Sequence, residues 1–142
     1  MCSIIGYLGS DDAAPIIVRG LGRMEYRGYD SVGVATGSNN KIIFKKGVGK
    51  VAEVNANLGL DKLHGSTGIG HTRWATHGKV TEKNAHPHLS NSGKIAIAHN
   101  GIIENFEELK SNLQNKGYKF QSETDTEVIA NLIQLNFDET SD

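Results

Sequence analysis

Apolar residues recur along this chain with two different periods, and the switches between them lay out its elements. Residues 4–8 are a short run with Ile4, Ile5 and Leu8, flanked by Gly9, which predicts a buried strand almost at the first residue. Ile17, Leu21 and Met24 then follow at helical spacing after Asp11 and Asp12. Pro15 fits only the first turn of such a helix, and Gly28 stands as its C-terminal stop. Residues 31–36 and 41–46 predict two strands joined through Gly37-Ser38-Asn39-Asn40, and residues 67–74 predict another. Residues 48–64 predict a short helix and a loop, and residues 75–92 a long, polar, histidine-rich loop. A loop of that length inside a compact domain is usually functional or disordered.

A further strand over residues 94–98 runs into His99-Asn100-Gly101. Beyond it, Ile102, Phe106, Leu109 and Leu113 have helical spacing, with Asn105 and Glu108 as a capping box and Gly117 as the close. A second box, Thr124 with Glu127, opens a last helix carrying Val128, Leu132 and Leu135. Strands and helices mix without strict βαβ alternation, so the fold class expected is α+β.

Composition narrows the function classes. A chain of 142 residues suggests one domain or part of a larger one, and 17 glycines beside two prolines indicate tight backbone corners. The formal net charge of -1 provides no field to recruit nucleic acid or an anionic membrane. No apolar run approaches the ~20 residues of a membrane span. No basic residue precedes Arg19, which argues against a secretory signal, and Cys2 in place of glycine excludes N-myristoylation. The expectation is a soluble, cytoplasmic protein. A single cysteine makes neither an intramolecular disulfide nor a multi-thiolate zinc site.

Several residues carry candidate chemistry. Cys2 reads either as a small buried hydrophobe or, once an aminopeptidase removes Met1, as a thiol and a free α-amine on one residue. An α-amine titrates near ~7.7–8.0 and a thiol near ~8.5, so the amine is a matched base for its own side chain. Arg73 closes a strand, where it is either a surface charge or a fork for a carboxylate, and Trp74 beside it is a candidate core anchor. His86 and His88 are read as packing and hydrogen-bonding a loop, with metal ligation as the rival. Asn100-Gly101 brings a side-chain amide and a glycine N–H to one corner, the composition of an oxyanion hole. Asp125 opens a helix, where an acidic residue also suits the dipole.

Six segments in collinear order carry a resemblance. They are Met1-Cys2-Ser3-Ile4-Ile5-Gly6, the 25–31 run Glu-Tyr-Arg-Gly-Tyr-Asp-Ser, the 71–78 run, Asn84-Ala85-His86-Pro87-His88, the 99–105 run and the 122–127 run. Together they resemble the glutaminase domain of the glutamine–fructose-6-phosphate aminotransferases, in the class II, N-terminal-nucleophile group. The wording Thr72-Arg73-Trp74-Ala75-Thr76-His77-Gly78 favours this branch over the amidophosphoribosyltransferases and asparagine synthetases.

The resemblance implies an N-terminal-nucleophile hydrolase type four-layer αββα sandwich and hydrolysis of the glutamine side-chain amide. It makes Cys2 the nucleophile with its own amine as base, and Asn100 and Gly101 the oxyanion donors. Arg73 would hold the glutamine α-carboxylate and Asp125 its α-ammonium, while Trp74, Thr76 and His77 would shape the pocket and its lid. No cofactor and no metal are expected, and glutamine is the expected small-molecule partner. Ammonia would pass through a channel to fructose 6-phosphate, bound by sugar isomerase domains outside this chain. Neither nucleic acid nor membrane is expected as a partner, and the full-length enzyme is expected to be a homo-oligomer. Ser3 stands where the family has glycine. The family's domain continues past residue 142, so the fold is expected to be incomplete in this chain, with exposed sheet edges. Two rival readings are a non-catalytic module that pairs through those edges and a standalone amidohydrolase on another substrate.

Overall fold

The computed structural model describes residues 1–76 and 78–140. In chain order the elements are β1 (Ser3–Leu8), α1 (Ala13–Met24), β2 (Ser31–Ser38), β3 (Lys41–Val48), α2 (Val51–Leu58), β4 (Thr67–Arg73), β5 (His88–Leu89), β6 (Ala96–Ile97), α3 (Phe106–Asn115) and α4 (Thr126–Thr140). Four strands form an antiparallel sheet in the order β1-β4-β2-β3, and β5 and β6 form a separate antiparallel pair.

α1 lies on one face of the large sheet, and the reason is legible in its stripe. Ile17 and Leu21, one turn apart, are fully buried against Val32 and Val34 of β2. Glycines on β4 permit the close approach: a Cβ at Gly70 would overlap Ile17, and one at Gly68 would stand 2.9 Å from it. α2 and the turn at Leu60–Lys62 complete this layer with Val51, Val54 and Leu60.

The opposite face of the same sheet looks toward the histidine-bearing segment. Strand alternation puts Gly33 and His71, which are register partners, on that face. The His71 ring stacks on His86 at 4.2 Å, and β5 follows immediately. α4 packs on β5 and β6 from outside, with α3 beside it. The layers therefore run helix, sheet, sheet, helix, the four-layer α+β arrangement expected. A Cβ at Gly33 would overlap the His86 carbonyl oxygen and press Lys46 Cβ at 2.8 Å. Gly33→Ala is therefore expected to destabilise the protein by about 2–3 kcal/mol, read as a lowered denaturant midpoint.

Several local expectations are corrected. The β2–β3 strands extend through Gly37 and Ser38, and the turn is only Asn39-Asn40, with φ of 51° and 60°. Positive φ at both positions matches the twist of a two-residue hairpin. Neither capping box forms. Asn105 precedes α3 without a side-chain cap, and Ile102 lies outside that helix. Glu127 reaches past Thr124 to accept from the Ser122 amide at 2.7 Å and the Gln121 amide at 2.8 Å. A buried carboxylate is best satisfied by several donors, and the preceding loop presents them. The 75–92 segment is not loop throughout, since His88–Leu89 form β5, and Asn84 to His88 are buried between the layers. Ser3 sits in ordinary strand backbone paired with Thr72, and its hydroxyl donates to the Met24 carbonyl at 3.4 Å. Its side chain therefore imposes no positive-φ strain beside Cys2. No helix among the described residues is long and apolar enough to cross a membrane.

Candidate active site

The pairing of β1 with β4 decides where the sulfur goes. Ser3 is registered with Thr72, so Cys2, one residue earlier, meets the chain just beyond the end of β4. The Trp74 amide donates to Cys2 Sγ at 3.2 Å, and the thiol can return a bond to the Trp74 carbonyl at 3.5 Å. Cys2 is half-buried and faces a cavity of about 570 Å³. It is not a packed core hydrophobe.

The Tyr29-Asp30 pair builds the wall behind it. Asp30 donates its amide to the Arg73 carbonyl at 3.0 Å and accepts the Ala75 amide on Oδ2 at 2.8 Å, clamping residues 73–75. Gly28 lies against the same segment: a Cβ there would stand 3.0 Å from Trp74 N and from the Met1 carbonyl oxygen. Trp74 is not the core anchor its type suggested. It is 43% exposed at the cavity mouth, edge-to-face with Tyr29 at 5.5 Å.

Arg73 is buried and lines the cavity, and its Nη1 donates to the Lys79 carbonyl at 3.2 Å. Burial pulls its guanidinium below the ordinary value, opposed by its electrostatic interaction with Cys2 and Asp30. Thr76 also lines the cavity, whereas His77 lies outside the described residues.

The far wall is the segment that follows β6. Gly101 has φ of +149°, a conformation open to glycine, and a Cβ there would meet the His99 ring at 2.9 Å. Asn100 is held from behind, its Oδ1 lying 2.8 Å from His71 Nε2. Asp125 accepts the Ile103 amide on Oδ2 at 2.7 Å, which ties this segment to the start of α4. His99 Nδ1 and Thr126 Oγ1, 3.3 Å apart, add a second tie. The cavity thus has the Arg73 cation, the carboxylates Glu104, Glu123 and Asp125, a thiol, and an amide beside a glycine.

His86, which also lines the cavity, packs edge-to-face on His88 at 4.5 Å, and His88 Nε2 meets Thr124 Oγ1 at 2.8 Å. Lys46 Nζ donates to the Ala85 carbonyl at 2.8 Å and to the Pro87 carbonyl at 3.3 Å, pinning this loop. Burial is the main cause of low basicity here: it pushes His71 down to about 4, His88 to about 3 and Lys46 to about 8. His86 is lowered further, again chiefly by burial and then by His71 and His88. The rings of His86 and His88 pack on neighbours, and no group of three metal-ligating side chains occurs among the described residues.

Seven of the eight site residues named from sequence, Cys2, Arg73, Trp74, Thr76, Asn100, Gly101 and Asp125, line one cavity. Sequence reasoning gave His71, Asp30 and Gly28 no place in the site, Gly28 being read only as a helix stop. For His71 a signal existed, since it alternates with Arg73 on a strand and must share its face.

A family model described as a glutamine amidotransferase domain matches residues 58–140, more than half of the chain. The chain is 57% identical over 136 residues to the isomerizing glutamine–fructose-6-phosphate aminotransferase of Pyrococcus horikoshii. It is 56% identical over 137 residues to the corresponding protein of Aquifex aeolicus. Each match covers 96% of this chain but 23% of the relative, so the chain spans under a quarter of their length. Among solved structures, the glutamine phosphoribosylpyrophosphate amidotransferase from B. subtilis, complexed with ADP and GMP, superposes with a TM-score of 0.78. A structure described as the allosteric regulatory enzyme of purine biosynthesis superposes with a TM-score of 0.80. Both share 36% identity, over 94% of this chain and 29% of theirs. The chain belongs to the glutamine amidotransferase domain family, with the α+β fold of its N-terminal-nucleophile type.

Proposed function

We propose that residues 1–142 are the N-terminal part of a class II glutaminase domain. In the full-length enzyme it hydrolyses the side-chain amide of glutamine and passes ammonia to fructose 6-phosphate to form glucosamine 6-phosphate. The observation that carries this reading is the convergence of Cys2, Arg73, Asn100, Gly101 and Asp125 on one cavity. A cation and an anion suit the zwitterionic end of an amino acid, leaving its amide to meet the sulfur. The relatives' names supply the acceptor sugar, which the sugar isomerase domains outside this chain would bind. The enzyme is proposed to work in the cytoplasm as a homo-oligomer and without a cofactor.

The steps balance without any other reactant than water. With Met1 removed, the Cys2 amine takes the thiol proton and the sulfur attacks the amide carbon. Asn100 and the Gly101 N–H stabilise the resulting oxyanion. Its collapse breaks the C–N bond, the ammonium returns its proton to the leaving nitrogen, and ammonia departs. Water, deprotonated by the same amine, then cleaves the thioester to release glutamate and restore the thiol.

The testing experiment is intact mass of the full-length enzyme after incubation with a glutamine-like electrophile. The expected species lacks Met1 and carries one adduct on Cys2. A chain that retains Met1 and takes no label refutes the reading and favours the non-catalytic module. Arg73→Lys keeps the charge but loses the planar fork, so the KM for glutamine should rise about tenfold or more with kcat less affected. An unchanged KM in steady-state ammonia release would remove Arg73 from glutamine binding.

A further inference from the structure

We propose that His71 is a positioning residue for the oxyanion donor, its Nε2–H holding Asn100 Oδ1 so that the Asn100 Nδ2 hydrogens face the reacting carbonyl. The proposal rests on the glutaminase reading above and assigns a task to a side chain that has no contact with the cavity.

The chemical problem is the symmetry of a carboxamide. Asn100 has a donor end and an acceptor end of nearly the same shape, and a half-turn about its last bond exchanges them. Donor end inward, it stabilises a developing oxyanion; acceptor end inward, it repels one. Something behind the amide must choose. His71 Nε2 stands 2.8 Å from Oδ1, the distance of a good hydrogen bond. It comes from β4, whose central place in the large sheet makes it a rigid support.

The surroundings of His71 select the tautomer that does this. The side chain is buried, at 1% exposure, under the His86 ring. Its Nδ1 has no hydrogen-bond partner among the described residues, so no acceptor draws the proton to that side. The charged and titratable groups facing it are Arg73, His86, His88 and His99, and a second proton beside that guanidinium is unfavourable. A neutral ring with its single proton on Nε2 remains, and that proton points at Asn100. A tautomer with the proton on Nδ1 would accept rather than donate, and would turn the amide the wrong way.

The test compares His71→Gln with His71→Asn in the full-length enzyme. Glutamine places an amide N–H where the imidazole Nε2 stood; asparagine is equally polar but one methylene short. The expected result is His71→Gln within about tenfold of the parent kcat, and His71→Asn lower by about 10²–10³, the loss typical of one oxyanion donor. The KM for glutamine should stay within about twofold in both, because the oxyanion exists only beyond the ground state. Alkylation of Cys2 by iodoacetamide displaces iodide and develops no oxyanion, so its rate should not change. Adding His71→Asn to Asn100→Ala should cost nothing further.

Equal losses in the two variants, alkylation slowing in step with kcat, or losses that multiply in the double variant would each overturn the proposal. A parent enzyme that releases no ammonia from glutamine overturns the glutaminase reading itself, and is recognised before any variant is made.

Discussion

Cys2→Ala in the full-length enzyme is expected to lower glutamine hydrolysis by about 10⁴-fold or more, the scale seen when a covalent nucleophile is removed. The sulfur lies between the amide and carbonyl of Trp74, half-buried at the cavity edge, and is the one thiol of the chain. Arg73 and Asp125 are untouched by the change, so glutamine should still bind, with a dissociation constant within about threefold of the parent by calorimetry. Cys2→Ser should also be severely impaired, since a hydroxyl is far less ionised than a thiol at neutral pH. Ammonia release that survives Cys2→Ala, with the variant's mass verified, removes Cys2 from the mechanism. Loss of both hydrolysis and binding would mean that the sulfur shapes the pocket rather than attacks the substrate.

Stability should fall steeply between pH 6.5 and pH 4, through the buried histidines. In the unfolded chain a histidine titrates near ~6.5. In the folded protein burial holds His71 near 4 and His88 near 3, with His86 lower again. Below pH 6.5 the unfolded chain therefore binds protons that the folded chain refuses. Stability rises with pH wherever the unfolded state is the more protonated, so this contribution is complete above the unfolded value and is lost on acidification. At pH 5 each such histidine gives up about 2 kcal/mol, and three together on the order of 4–6 kcal/mol. That is a large share of the 5–15 kcal/mol typical of a domain. The cations facing the cluster, Arg73 and Lys46, act in the same direction by opposing further positive charge. Denaturant midpoints at pH 7.5, 6, 5 and 4.5 should drop monotonically at nearly constant m-value. A flat profile from pH 7 to pH 5 would show that the histidines are already solvated in the folded protein.

The parts of the fold legible beforehand are those set by local periodicity. Ile17 and Leu21 mark one face of α1, and the structure buries both fully against the large sheet. Residues 67–74 read as a strand because alternation and glycines are local properties, and β4 appears over Thr67–Arg73. The capping boxes misled because side chains at helix starts choose among all nearby donors. Glu127 found two loop amides and the Ser122 hydroxyl, at 2.6 Å, instead of closing a box with Thr124. The histidine-rich segment read as a long polar loop whose histidines pack and hydrogen-bond it, but its partners were not legible. Its polar groups are satisfied inside, by Lys46 on carbonyls and by Thr124 on His88, an outcome no window of neighbouring residues contains.

By itself the sequence determined the residue types available for chemistry: a thiol beside the N-terminus, a cation ending a strand, an amide next to a glycine, and a carboxylate before a helix. It also determined the strands and helices on which they ride, because side-chain spacing and backbone preference act within a few residues. Only the tertiary structure decided that these groups share one cavity, since Cys2 and Trp74 are 72 residues apart and meet through strand pairing. Only it decided that His71 backs Asn100 across 29 residues, and that Gly33 must lack a side chain to admit the histidine layer. Register and layer packing depend on surfaces brought together from distant segments, and that information becomes physical only when the chain is folded.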